Sequence, residues 1–202
     1  MRTRCIRRAA AGAALSALVA GGCSHVPLTT VYKLATFDPA NADPTVLRAA
    51  LRYPEALAVR KDGAKLILTL GAAAGETAPK KFEFTLVPAE GPGEREPRMR
   101  YGRAGHVVEV MKLSAEDAEN VRKLQAERRG RGGGSIAVSA AACHRNGLPS
   151  GPILASTFLR LDMTDGYMTV LEDFDLRKEL GAEKLASEVA ACPPETAPPP
   201  RS

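Results

Sequence analysis

Strict alternation over Lys81-Phe82-Glu83-Phe84-Thr85-Leu86-Val87 puts Phe82, Phe84 and Leu86 on one side of an extended chain. Successive side chains of a strand point to opposite faces, so this run predicts a half-buried β-strand. Other short apolar runs recur, each bounded by turn residues. Val31–Phe37 is β-branched and aromatic, Val107–Leu113 and the small-residue run Ser135–Ala142 also read as strands, and Ile153–Asp162 with Tyr167–Phe174 forms a hairpin through Thr164-Asp165-Gly166. Thr45–Tyr53 is ambiguous. Asp43 and Pro44 start a helix well, yet Leu47, Ala49, Leu51 and Tyr53 alternate with Arg48 and Arg52, and Pro54 stops any helix early. A strand is favoured. Between Val59 and Leu66, Asp62-Gly63 predicts a type I′ hairpin turn inside Leu57–Leu70.

Helical signals are fewer. Ser114-Ala115-Glu116-Asp117 fits a capping box with Asp in place of Glu or Gln, followed by a narrow stripe of Ala118, Val121, Leu124 and Gln125 and by Gly130 as the stop. Leu176, Leu180, Leu185 and Val189 give residues 176–191 a helical period that Gly181 interrupts. Glu90–Arg103 is rich in Gly, Pro and charge and reads as a long exposed loop. Together these signals predict a β-rich α+β fold, an antiparallel sheet or sandwich of about seven strands with one or two helices.

The N-terminus carries a different kind of information. Arg2, Arg4, Arg7 and Arg8 precede an uncharged stretch from Ala9 to Ala20. Twelve residues make a helix of about 18 Å, too short for a hydrocarbon core of ~30 Å. A basic block, a short apolar run and small residues describe a secretory signal. Ala20-Gly21-Gly22 runs directly into Cys23, and this resembles the lipobox of bacterial lipoproteins. The resemblance implies cleavage before Cys23, acylation of that thiol, as with palmitate, and a mature chain of 180 residues. It further implies a lipid anchor on the periplasmic face, with Ser24, in place of Asp, favouring the outer over the inner membrane. It covers the export segment alone. A plain secretory signal with an incidental thiol is the competing reading.

On this reading the chain divides into a signal peptide (1–22), a lipidated tether (23–30), one β-rich domain (31–192) and a Pro-rich tail (193–202) expected to be disordered, with five Pro in ten residues. His25 falls in the tether, where solvation is the expected state. Export also changes the arithmetic of charge. The whole chain has 28 basic and 23 acidic residues; loss of the four N-terminal Arg leaves 24 against 23, a net +1. Near neutrality, and the lack of basic residues interleaved with aromatics, argues against a nucleic-acid partner. With Cys23 acylated and Cys5 removed, Cys143 and Cys192 remain and are expected to form a disulfide in an oxidising compartment.

Candidate chemistry is sparse. Cys143-His144 as nucleophile and base is disfavoured because neighbours in a strand face opposite ways. Arg129-Gly130-Arg131-Gly132-Gly133-Gly134-Ser135 lacks the Lys of a phosphate-binding loop and follows a helix instead of preceding one, so it reads as a connector. Glu172, Asp173 and Asp175 crowd a strand end, and His106 opens another strand. No Gly-x-Ser-x-Gly, His-Glu-x-x-His or Ser-x-x-Lys motif is present, and no metal ligand set stands out. Residues 95–145 carry 11 basic and 6 acidic side chains, residues 162–195 carry 3 and 9. The expectation is a lipid-anchored envelope protein without catalysis, needing no cofactor, whose partners are the membrane and an envelope protein. The alternatives are an envelope hydrolase assembling Asp173, Asp175 and His106, or a binder of anionic lipid or polysaccharide through Arg95–Arg131.

Overall fold

The computed structural model describes residues 41–72, 78–127 and 134–194. Cys23, the tether with His25, and the strand expected at Val31–Phe37 lie outside these residues, as do Arg128–Gly133. Among the described residues, seven strands form one antiparallel sheet curled into a half-barrel: β1 (Arg48–Pro54), β2 (Leu57–Leu70), β3 (Lys80–Pro88), β4 (His106–Leu113), β5 (Gly134–His144), β6 (Leu154–Arg160) and β7 (Tyr167–Asp175). Their order across the sheet is β5-β2-β3-β4-β1-β6-β7. A single curled sheet, and not a sandwich, is therefore the β-rich solution. Among the described residues four α-helices accompany it: α1 (Arg95–Arg100), α2 (Ala115–Glu127), α3 (Leu176–Leu180) and α4 (Ala182–Glu188).

β1 shows how alternation becomes architecture. Its whole length pairs with His106–Lys112 of β4, and Arg48–Arg52 pairs with Ser156–Arg160 of β6. Ala49, Leu51 and Tyr53 enter the main core, whereas Ala50 belongs to a second cluster with Ala89, Val110 and Phe158. The alternation thus outweighs the helix-start signal of Asp43 and Pro44. Leu66, Leu68, Phe84, Met111 and Leu159 continue the main core, which Ala118 and Val121 of α2 and Leu185 of α4 cover. Burial of each large apolar side chain there contributes about 1.5–3 kcal/mol.

The helix ends follow the local signals. Ser114 Oγ accepts from the Asp117 amide at 3.0 Å and caps α2. Asp175 Oδ1 accepts from the amides of Arg177 and Ile153, at 3.0 and 3.1 Å. Burial raises the Asp175 pKa, but these amide bonds and that of Lys178 outweigh it, so the carboxyl ends below its ordinary value. Gly181, at φ 77°, separates α3 from α4, a conformation that suits Gly. Cys143 and Cys192 are joined, with Cα atoms 4.8 Å apart. Closing that 49-residue separation contributes about 4 kcal/mol in the chain-entropy account.

Two expectations fail, each for a tertiary reason. Residues 90–103 are not simply an exposed loop: Pro92–Glu94 forms a 3-10 turn leading into α1, with Glu94 and Pro97 buried. Glu94 tolerates burial because Arg48 Nε donates to it at 2.9 Å, and Tyr101 stacks on Phe158 with ring centroids 3.8 Å apart. Neither partner is visible from the local composition. The second failure is Asp62-Gly63, which makes no hairpin. β2 runs unbroken through it to Leu70.

Candidate functional site

The Asp62-Gly63 pair creates a bulge. Register with β5 runs Val59↔Ala142 and resumes at Ala64↔Ala140, so Arg60–Gly63 lies opposite Ala141 alone. Asp62 takes the left-handed conformation, at φ 57°. A Cβ on Gly63 would sit 2.9 Å from the carbonyl oxygens of Ala141 and Arg60, so only Gly fits here. Only Asp62 adopts the left-handed conformation that a type I′ turn asks of both residues; Gly63 is needed for close approach of the neighbouring strand. Arg60 secures the bulge: its Nε donates to the Ala142 carbonyl at 3.0 Å and its Nη2 to that of Glu188 at 3.1 Å.

Close to this bulge the sheet parts. β2 and β3 pair from Leu70↔Lys80 to Lys65↔Thr85 and no further. Beyond that point Leu86–Pro88 pairs with Met111–Leu113 of β4, while β2 stays with β5. A cleft of about 590 Å³ opens between the diverging strands. Its walls include Val59, Ala64, Leu86, Val87 and Met111, and its boundary includes Arg60 and Lys61 of the bulge. Exposed Pro193, just past the disulfide, also borders it.

Glu109 supplies a carboxylate to this apolar cleft. The Tyr53 hydroxyl donates to Glu109 Oε2 at 2.6 Å. Burial, and then the Glu109 charge, pushes the Tyr53 pKa well above its ordinary 10.0, so the hydroxyl stays protonated and keeps donating. Among the described residues Tyr53 is the hydrogen-bond partner of Glu109, and the second carboxylate oxygen has none. An oriented carboxylate beside apolar walls suits a ligand that combines apolar surface with a cationic group or an N–H donor. Among the described residues, no three His, Cys, Asp or Glu gather to hold a metal ion.

The acid-base candidates sit elsewhere and are not brought together. Asp173, at φ 46°, is held on the opposite face by Arg52 at 2.9 Å and Arg103 at 3.2 Å. Its amide donates to Ser156 Oγ at 3.0 Å, and Arg52 Nη2 donates to the same hydroxyl at 2.9 Å. Asp175 caps α3, and Glu172 is exposed. His106 Nδ1 lies 3.1 Å from the Ala104 carbonyl, while its Nε2 is buried without a partner. Of the basic segment, Arg98 donates to the Ala89 carbonyl and Arg100 pairs with Glu96 at 3.6 Å. The Arg103–Asp173 pair joins the basic and acidic stretches of the sequence, which therefore partly neutralise one another.

Glu109 and Tyr53 escaped the motif search, although a signal for them exists. Within Val107–Leu113, the inward positions of the alternation are Val107, Glu109, Met111 and Leu113. A carboxylate on the core side of a strand requires a partner, and the inward Tyr53 of β1 supplies it. In comparisons with protein-family models, curated proteins and solved structures, nothing matches this chain.

Proposed function

We propose that the chain is a lipid-anchored component of the bacterial cell envelope, held at the periplasmic face through Cys23 with the outer membrane favoured. It acts by binding and not by catalysis, seating an extended segment of an envelope protein in the cleft between β2 and β3. The observation that carries the binding reading is the parting of the sheet beside Glu109. Two strands that separate while each keeps its outer partner leave room for a third chain between them. The apolar walls reward contact along that chain, and the Tyr53-oriented carboxylate selects a basic or N–H-bearing group on it.

The anchor reading is supported by the small residues running into Cys23. Acyl chains contribute ~0.8 kcal/mol per buried CH₂, so two or more hold a domain at a membrane without a spanning helix. Among the described residues no helix is long and apolar enough to cross a membrane. Cys23→Ser is expected to move the protein from the membrane fraction to the soluble one and to abolish labelling by fatty acid. Unchanged fractionation defeats the anchor. For the cleft, a photo-crosslinking residue at Val87 is expected to capture an envelope protein, and Glu109→Gln to suppress that capture at least fivefold. Capture that ignores Glu109 defeats the docking reading.

A further inference from the structure

Met99 and Met163 are the large hydrophobic side chains left exposed among the described residues, at 77% and 68%. Their surroundings carry opposite charge. Met163 lies in the β6–β7 loop between Asp162 and Asp165, and it borders a pocket that Asp43 also lines. Met99 lies in α1 between Arg98 and Arg100, with Arg95 four residues earlier on the same helix face.

α1 is fastened to the sheet by its inner side. Pro97 is buried, Tyr101 stacks on Phe158, and Arg98 Nη2 donates to the Ala89 carbonyl at 3.3 Å. The acidic residues nearby are largely neutralised: Glu94 is held by Arg48, and Glu96, the one carboxylate of the helix, pairs with Arg100. Arg95 and Arg98 have no carboxylate partner among the described residues. Neither have Lys112 and Arg160, which the alternation of β4 and β6 places on the same sheet face as Val110 and Phe158. Exposed Glu90 is the counter-charge to these four cations.

We propose that the outer side of α1 is a docking surface for an anionic lipid bilayer, with Met99 entering the interface and Arg95 and Arg98 meeting lipid phosphates. Charge complementarity selects the occupant. Each basic side chain near such a surface strengthens binding about fivefold, and an exposed apolar side chain gains by leaving water there. The same field repels the carboxylates around Met163, so the two methionines are expected to behave oppositely. A patch of this size binds weakly and reversibly. It orients the domain and does not keep an unacylated chain in a washed membrane fraction.

The test uses the mature chain, residues 23–202, carrying Cys23→Ser so that no acyl group contributes. It measures flotation with vesicles of phosphatidylcholine alone and of phosphatidylcholine mixed with phosphatidylglycerol. The mixed vesicles are expected to bind at least tenfold more tightly. Salt near 1 M, where the Debye length is about 3 Å, is expected to remove that difference. Arg95→Glu, whose side chain bonds to none of the described residues, changes the charge by two and is expected to weaken binding at least tenfold. Equal binding to the two vesicle types, or an unchanged affinity for Arg95→Glu, overturns the proposal.

The chain contains no Trp, so insertion can be read separately. The emission of Met99→Trp is expected to shift to the blue with mixed vesicles, and that of Met163→Trp to stay where it is. Any shift at position 163, or none at position 99, overturns the proposal. Retention on an acidic polysaccharide without flotation assigns the basic face to a polymer and overturns it too. The anchor and the cleft are tested by fractionation of Cys23→Ser and by Glu109-dependent capture, so failure here leaves both of those readings standing.

Discussion

The two junctions of β4 behave differently. Toward β1 the ladder is continuous from Arg48↔Lys112 to Pro54↔His106; toward β3 it covers only Leu86–Pro88 against Met111–Leu113. The first junction has buried side chains on both faces, with Leu51 and Met111 on one and Ala50, Val110 and Phe158 on the other. At the second, β2 has turned away at its bulge and a cleft takes the place of a strand pair. The β1–β4 ladder persists where apolar contacts hold both faces; near its inserted residues β2 keeps β5 and gives up β3. The closed junction holds the fold, and the open one leaves a cleft.

The contrast is sharpest for side-chain truncation. Phe158→Ala, at a fully buried ring stacked on Tyr101, is expected to cost about 3–5 kcal/mol in urea unfolding. Leu86→Ala, equally buried but beside the cleft, is expected to cost only about 2 kcal/mol, because the open junction collapses more easily around the loss. Equal costs at the two sites would erase the distinction between the junctions.

Glu94→Ala is expected to cost about 3 kcal/mol, since it leaves Arg48 inside the closed half without its carboxylate. An unchanged denaturation midpoint would mean that the Arg48 bonds to the Thr45 and Leu47 carbonyls suffice. At the bulge, Gly63→Ala is expected to cost about 1–3 kcal/mol, because its methyl meets the backbone oxygens of Ala141 and Arg60. That variant should also change peptide binding at the cleft, whereas Glu94→Ala should not.

The smallest effect is alkaline. Tyr53 and Tyr167 both have pKa values raised by burial, then by Glu109 and Glu94 respectively. For a raised value the folded state holds its proton more tightly. Stability is then complete below the ordinary value of 10.0 and is lost as pH rises above it. Tyr53→Phe is expected to flatten that decline by up to about 1.4 kcal/mol per pH unit, measured by unfolding at pH 10 and 11. An unaltered slope would show that Tyr53 ionises freely in the folded protein.

Much of the strand frame was legible before any coordinates. Lys81–Val87, Val107–Leu113 and the hairpin of β6 and β7 follow from alternation and turn residues, because a half-buried strand writes its two faces into the sequence directly. Ser114 as a cap, Gly181 as a break and the Cys143–Cys192 bond were readable for similarly local or compositional reasons. The cleft was harder to see. Its carboxylate is a single residue in a strand, and its opening depends on where β3 abandons β2.

Local patterns in the sequence suffice for the strand pattern, the main helix caps and the pairing of Cys143 with Cys192, and the net charge falls from +5 to about neutral if the N-terminal segment is removed. Tertiary structure alone decided that Asp62-Gly63 is a bulge and not a hairpin, that Glu94 is buried against Arg48, and that Glu109 faces a cleft. The physical reason is range. Alternation, caps and turn conformations are satisfied within a few residues, whereas a bulge, a buried ion pair and a parted sheet depend on partners tens of residues away, which local patterns do not encode.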